Sequence, residues 1–313
     1  MQFLNPKTDF AFKRIFGSRE STDILLSFLN AILDLHGSYR ICHVEILDPY
    51  LAPKIKGMKD TFLDVRAQDE QGKSYIIEMQ VLNVAGFEKR VLYNACKAYT
   101  GQLSKGESYQ CLSDVIAITI TDFVMFDDLT DTVNSFKLRA ESGAVYHDDL
   151  ALVFAELPKF NKDEDALESV LDQWFYFLKC AGSLTAVPKR LSNERAIQHA
   201  FDIANKAGLN REELEDQERR EMFIHDQRGA LELAEQQGIA KGKAEGKAEG
   251  KAEGKAEGKA EGKAEGKAEG KAEGAKEMQY RIARSLLTTM DDAACAGATG
   301  LTVHEVQALR AEI

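Results

Sequence analysis

Thr61-Phe-Leu-Asp-Val-Arg-Ala-Gln-Asp-Glu-Gln-Gly-Lys-Ser-Tyr-Ile-Ile-Glu-Met-Gln80 decides the fold. Two runs of strand-forming residues flank Glu70-Gln71-Gly72, and a three-residue hairpin loop places glycine at its left-handed position. Pairing 69 with 73 sets Leu63 against Met79, Val65 against Ile77 and Ala67 against Tyr75. That face is wholly apolar and is expected to be core. On the other face Asp64 lies opposite Glu78, with Arg66 and Gln80 beside them. A slip of one residue would bury both carboxylates, so the hydrophobic pattern pins the register. Directly opposed residues have Cβ atoms about 5 Å apart, close enough for two carboxylates to repel. A Mg2+ ion held by one oxygen of each would relieve the repulsion. Such an ion activates water and neutralises charge at phosphorus. On an open antiparallel face the same pair would simply be hydrated.

Working outward, the flanks read as helix before and mixed structure after. Asn5-Pro6-Lys7-Thr8 is a helix-start signal ahead of Phe10, Phe12, Ile15 and Phe16, and Asp9 is expected to cap that helix. Gly17 breaks the run, Ser21-Thr22 restarts it, and Ile24 to Leu33 continue at helical spacing. Strands are expected over 43–51, 61–69 and 73–82, then a helix over about 86–105. Val115-Ile-Ala-Ile-Thr-Ile120 is apolar on both faces, as a central buried strand is. A further strand is expected near 150–156, and mostly helix from 163 to 240, with Leu167, Val170, Leu171, Trp174, Phe175 and Leu178 on one stripe. The order α-β-β-β-α-β defines an α/β (α+β) core. The expected divisions are 1–160, an acidic helical region 161–241, a repeat 242–274 and a small helical tail 275–313.

The chain of 313 residues has 44% apolar content and a net charge of −11, an acidity that on average disfavours nucleic acid. The average misleads. Residues 1–122 carry a net −1, residues 123–242 carry −9, and residues 275–313 carry −1. The charge-balanced remainder is eight copies of Lys-Ala-Glu-Gly over 243–274. A four-residue period drifts about 40° per unit around a helix, so no face stays apolar. Each glycine costs about 1 kcal/mol against alanine in a helix. A frayed helix or a flexible spacer is expected there. The tail suggests three helices, about 276–288, 291–298 and 303–312, with a Thr302-Val-His-Glu305 capping box and helix-turn-helix-like spacing. No apolar run reaches the roughly 18 residues of a membrane span. No secretory leader is legible, and the five scattered cysteines fit reduced thiols, so a cytoplasmic, non-membrane protein is expected. Six scattered histidines show no metal-ligand spacing.

Asp64, the hairpin and the closing Glu78-Met79-Gln80 resemble the PD-(D/E)xK nuclease signature, with glutamine where that signature has lysine. Asp9-Phe-Ala-Phe-Lys13-Arg-Ile-Phe-Gly17, Phe87-Glu-Lys-Arg90 with Tyr93, Gln102 to Tyr109, and Glu156-Leu-Pro-Lys159 extend the likeness over about residues 3–160. Together they resemble the Rpn-type recombination-promoting nucleases, often labelled transposases. The resemblance implies a restriction-endonuclease-like core and Mg2+-dependent endonucleolytic cleavage of DNA in recombination, DNA mobility or phage defence, with Mn2+ or Ca2+ as alternative ions. It implies Asp64 and Glu78 as metal ligands, the Met79 carbonyl as a third, and Gln80 at the lysine position. Glutamine orients water but carries no charge. Lys13 and Arg90 are the candidate relocated cations, and Asp60 is a candidate accessory ligand. Lys59, Lys89, Arg90 and Lys97, within a wider set including Lys54, Lys56 and Lys105, would form a DNA-facing rim. The rival reading is a degenerate nuclease fold acting as a DNA- or protein-binding regulator. The helical C-terminal half is expected to mediate homo-oligomerisation.

Overall fold

The computed structural model describes residues 2–51 and 61–313. Two units emerge, Met1–Leu231 and Glu232–Ile313. In the first, helices α1 (Asp9–Phe16) and α2 (Thr22–Ile32) precede strand β1 (Val44–Leu47). Short strands β2 (Tyr50–Leu51) and β3 (Thr61–Phe62) pair with each other in a two-stranded sheet. The expected hairpin follows as β4 (Val65–Asp69) and β5 (Ser74–Gln80). Helix α3 (Phe87–Thr100) crosses to β6 (Val115–Thr121), then come β7 (Val133–Arg139) and β8 (Val145–Glu156). The main sheet has the order β1-β4-β5-β6-β8-β7. Its first three strands are antiparallel, β5, β6 and β8 run parallel, and β7 is an antiparallel edge. This is an α/β fold with the α-β-β-β-α-β order at its centre.

The hairpin register is the expected one: Val65 pairs with Ile77 and Ala67 with Tyr75. Gly72 closes the loop at φ +84°, a conformation that a side chain resists. The inward face of both strands joins a core with α1, α2, α4 (Val170–Cys180) and α5 (Arg195–Ala204). Trp174 is fully buried there, 5.7 Å from Phe16 and 5.9 Å from Phe28 between ring centroids. The core thus recruits helices well past residue 160. The opposite face is not an open, hydrated one. Helix α3 covers it, with Ala95 and Ala98 packed against Ile76 and Ala117.

Three expected strands differ in detail. The run 43–51 divides into β1 and β2, and the run 61–69 breaks at Leu63-Asp64. There the Leu63 amide turns to the Pro49 carbonyl (3.1 Å), and Leu63 packs with the α3 side rather than the main core. The strand near 150–156 starts earlier, at Val145, and β7 was not expected. Two motifs prove architectural. Gln102 exchanges hydrogen bonds with the Ser113 backbone (2.8 and 2.7 Å), locking the loop between α3 and β6. Glu156, fully buried, accepts from the Met125 and Phe126 amides and pairs with Lys159.

Helix α6 (Arg211–Leu286) contains the whole Lys-Ala-Glu-Gly repeat, and residues 225–278 are all solvent-exposed. In the second unit, α7 (Asp292–Thr299) and α8 (Val303–Ala311) pack Cys295, Ala296, Leu301, Val306 and Leu309 on Ala283 and Leu287. Thr302 and Glu305 form the expected capping box. No helix among the described residues is long and apolar enough to cross a membrane.

Candidate active site

The break before β4 creates the site. Met79 on β5 would have Leu63 as its ladder partner, but its amide donates to Asp64 Oδ2 instead (2.9 Å). Asp64 therefore sits in a bend, held by the backbone of the strand that carries Glu78. The end of α1 approaches this bend so closely that a Cβ at Gly17 would lie 3.3 Å from Val65 Cγ2 and 3.6 Å from the Asp64 carbonyl. That approach delivers Lys13. Its Nζ stands 3.4 Å from Asp64 Oδ1 and 2.7 Å from Asp9 Oδ1.

Glu78 and Gln80 share the β5 face that α3 covers. Asn94 donates to Glu78 Oε1 (2.8 Å). Arg90, one turn earlier, donates to Gln80 Oε1 (2.6 Å) and lies over the Phe87 ring (5.2 Å to its centroid). Gln80 Nε2 donates to the Leu82 carbonyl (2.6 Å), so both ends of this amide are engaged. A cation from α3 therefore stands beside the neutral Gln80 side chain.

The electrostatics follow from burial. Desolvation pushes the Asp64 carboxyl up to about 7, against the lowering effect of the Met79 amide and the Lys13 charge. Burial also raises Glu78, although the Asn94 hydrogen bond and the charges of Arg90 and Lys13 oppose it. Asp9 is also desolvated, yet the hydrogen bond and charge of Lys13, with further help from Asp64 and Arg220, hold it below its ordinary value. Lys13 is raised because Asp9 and Asp64 outweigh its own desolvation. Two desolvated carboxyls that resist ionisation are a donor set that a cation would relieve. Among the described residues no three His, Cys, Asp or Glu side chains converge as a metal cage. Two carboxylates plus backbone oxygen and water suit Mg2+, which keeps several waters and rarely takes an all-protein cage.

The remaining candidates separate. Lys97 shares the α3 face of Arg90 and Asn94 and donates to Thr61 Oγ1 (3.1 Å). Lys89 is exposed and projects about 100° away from Arg90 around the helix. Lys59, with Lys54, Lys56 and Asp60, lies outside the described residues. Asp9 does not cap α1; Thr8 does, accepting from the Ala11 amide. Asp9 instead joins the site, and Arg220 of α6 reaches it at 3.0 Å. Sequence reasoning missed Asn94 and Arg220 as well. The spacings Asp9/Lys13 and Arg90/Asn94, each i,i+4, were available signals. Arg220 had none.

A family model described as PD-(D/E)XK nuclease family transposase matches residues 6–234, well over half of the 313-residue chain. The chain belongs to the PD-(D/E)XK nuclease family transposases. No curated protein and no solved structure matches it. The family match reaches past α5 into the first turns of α6, the stretch that supplies Arg220.

Proposed function

We propose that this family member is a metal-dependent DNA endonuclease that hydrolyses phosphodiester bonds. The observation that carries the reading is the desolvated Asp64–Glu78 pair with Lys13 3.4 Å from Asp64. Asp64, Glu78 and the Met79 carbonyl would hold Mg2+, or Mn2+ or Ca2+ in its place. When bound, the ion supplies an activated water and charge neutralisation at phosphorus. The chain's own residues do the rest. The Met79 amide and Asn94 fix the two carboxylates. Lys13, kept protonated by Asp9 and Asp64, offers positive charge to a phosphate oxygen. Gln80 acts as a positioning residue, holding Arg90 as the second cation.

Plasmid cleavage by purified full-length protein across a metal series tests this. Cleavage is expected with Mg2+, and neither Asp64→Ala nor Glu78→Ala should cut. Cutting by both variants would reject the site. One observation favours the rival regulator reading: the Gln80 amide is fully engaged and carries no charge. DNA binding without cleavage in every metal would select it. A role in recombination, DNA mobility or phage defence, and a cytoplasmic setting, complete the proposal. Homo-oligomerisation through the helical C-terminal half is part of it, since Met278, Ile282 and Val303 leave apolar surface exposed there. Truncation at residue 241 is then expected to lower the number of subunits per particle measured by light scattering, and an unchanged subunit number would reject that role.

A further inference from the structure

Beyond Gln80 the chain leaves β5 along a hollow of about 480 Å3 that begins at the candidate site, with Met79, Gln80 and Arg90 in its wall, and extends to Val84, Arg219 and Phe223, which the cleavage chemistry does not use. This is within the roughly 300–1,000 Å3 of sites that hold small ligands. Lys7, Arg90, Arg219 and Arg220 line it, and Asp9 is the one carboxylate among its lining residues. Amid these cations stand Phe223 and Val84, 61% and 42% exposed. A second hollow of about 430 Å3 shares Lys7 and Ile224 with the first and adds Lys179 and Arg228. The two adjoin along the first turns of α6, starting at the strand that carries Glu78, and line up six cations against two carboxylates, Asp9 and Glu221. Arg219 and Arg220 also pair with Asp216, and Lys7 and Arg228 with Asp122.

Cations spaced along a groove with an exposed aromatic ring suit one kind of occupant. Guanidinium groups take phosphates, and the ring takes the flat face of a base. A duplex keeps its base faces stacked and offers only phosphates to such a wall. An acidic peptide would satisfy the cations and leave Phe223 unused. We propose that this groove binds an unpaired DNA strand beside the scissile phosphate, with Phe223 stacking a base and Arg219 and Arg220 holding the backbone. The choice of DNA rests on the nuclease reading above; the stacking groove itself does not.

The test is fluorescence anisotropy with full-length protein in EDTA, using labelled oligo(dT) and a duplex of the same length. Phe223→Ala is expected to weaken oligo(dT) binding about tenfold, the typical worth of one stacked base. Phe223→Trp restores it, and duplex affinity changes less than about twofold. Arg219→Ala weakens oligo(dT) binding and reduces its salt slope by about one. Phe223 is too exposed for its loss to disturb the core. Equal oligo(dT) affinities for wild type and Phe223→Ala overturn the proposal. So does an equal loss on duplex, or polyglutamate competing as well as unlabelled oligo(dT). Because no metal is present, the outcome is independent of cleavage. A Phe223 effect in a protein that never cuts keeps the groove and rejects the nuclease, and cutting without a Phe223 effect does the reverse.

Discussion

One helix, α6, is built in two contrasting ways. Its first turns are held by specific tertiary contacts. Gln217 is 1% exposed and accepts from the buried Thr8 hydroxyl, Glu213 pairs with Arg14 at 2.7 Å, and Arg220 pairs with Asp9. From residue 225 through the repeat nothing is buried. There the helix depends on its own backbone, with a glycine every fourth residue working against it. The first stretch has irregular sequence because each position meets a different partner. Past Arg228, which still pairs with Asp122, the second stretch runs into a repeat whose positions are all exposed. Substitutions are therefore expected to reach the candidate site from the first stretch and not from the second.

The largest effect marks the end point of that contrast. Asp64→Ala and Glu78→Ala are each expected to lower cleavage roughly 1,000-fold, measured as initial nicking rate in Mg2+. Arg220→Ala comes next, acting through Asp9 on Lys13. It is expected to cost on the order of tenfold by mispositioning the cation, with circular dichroism unchanged. A rate equal to wild type would detach the first stretch of α6 from the site.

A stability measurement follows. Asp64 ionises near 7 when folded against 3.8 ordinarily, so folding takes up a proton between those values. The contribution of Asp64 to the stability of the metal-free protein therefore falls as pH rises from about 4 to 7. A side-chain amide in place of this carboxyl has no proton to lose. Asp64→Asn is thus expected to stabilise the metal-free protein above pH 7 by on the order of 2 kcal/mol, and not below pH 4. Denaturant melts at both pH values in EDTA check the sign. The smallest effect on activity comes from the repeat. Replacing its eight glycines, Gly246 to Gly274, by alanine meets no steric obstacle. Helical ellipticity and protease resistance should rise while cleavage stays within about twofold. A large change in cleavage would erase the distinction between the two stretches.

What was legible followed the same division between local and distant causes. The hairpin register, Gly72, α3, β6 and the Thr302–Glu305 cap were readable because periodicity and turn chemistry are local. The edge strand β7 was not, because Val133–Arg139 is mostly exposed and carries no buried alternation. The break at Asp64 was hidden because a side chain replaces a backbone partner there, which no hydrophobic pattern records. Asp64, Glu78, Gln80, Lys13 and Arg90 could be nominated as site residues from spacing and resemblance. Arg220 could not, since its partner Asp9 is brought to it only by folding.

The hydrogen bond from the Met79 amide to Asp64 makes the sheet itself a reporter. That proton lies between the backbone and a candidate ligand oxygen, so its chemical shift registers whether Asp64 is protonated, ionised or bound to a cation. The chain has seven methionines, and selective 15N-methionine labelling leaves an amide spectrum sparse enough to follow this one resonance. Occupancy of the centre thus becomes visible without DNA, turnover or a probe at the site.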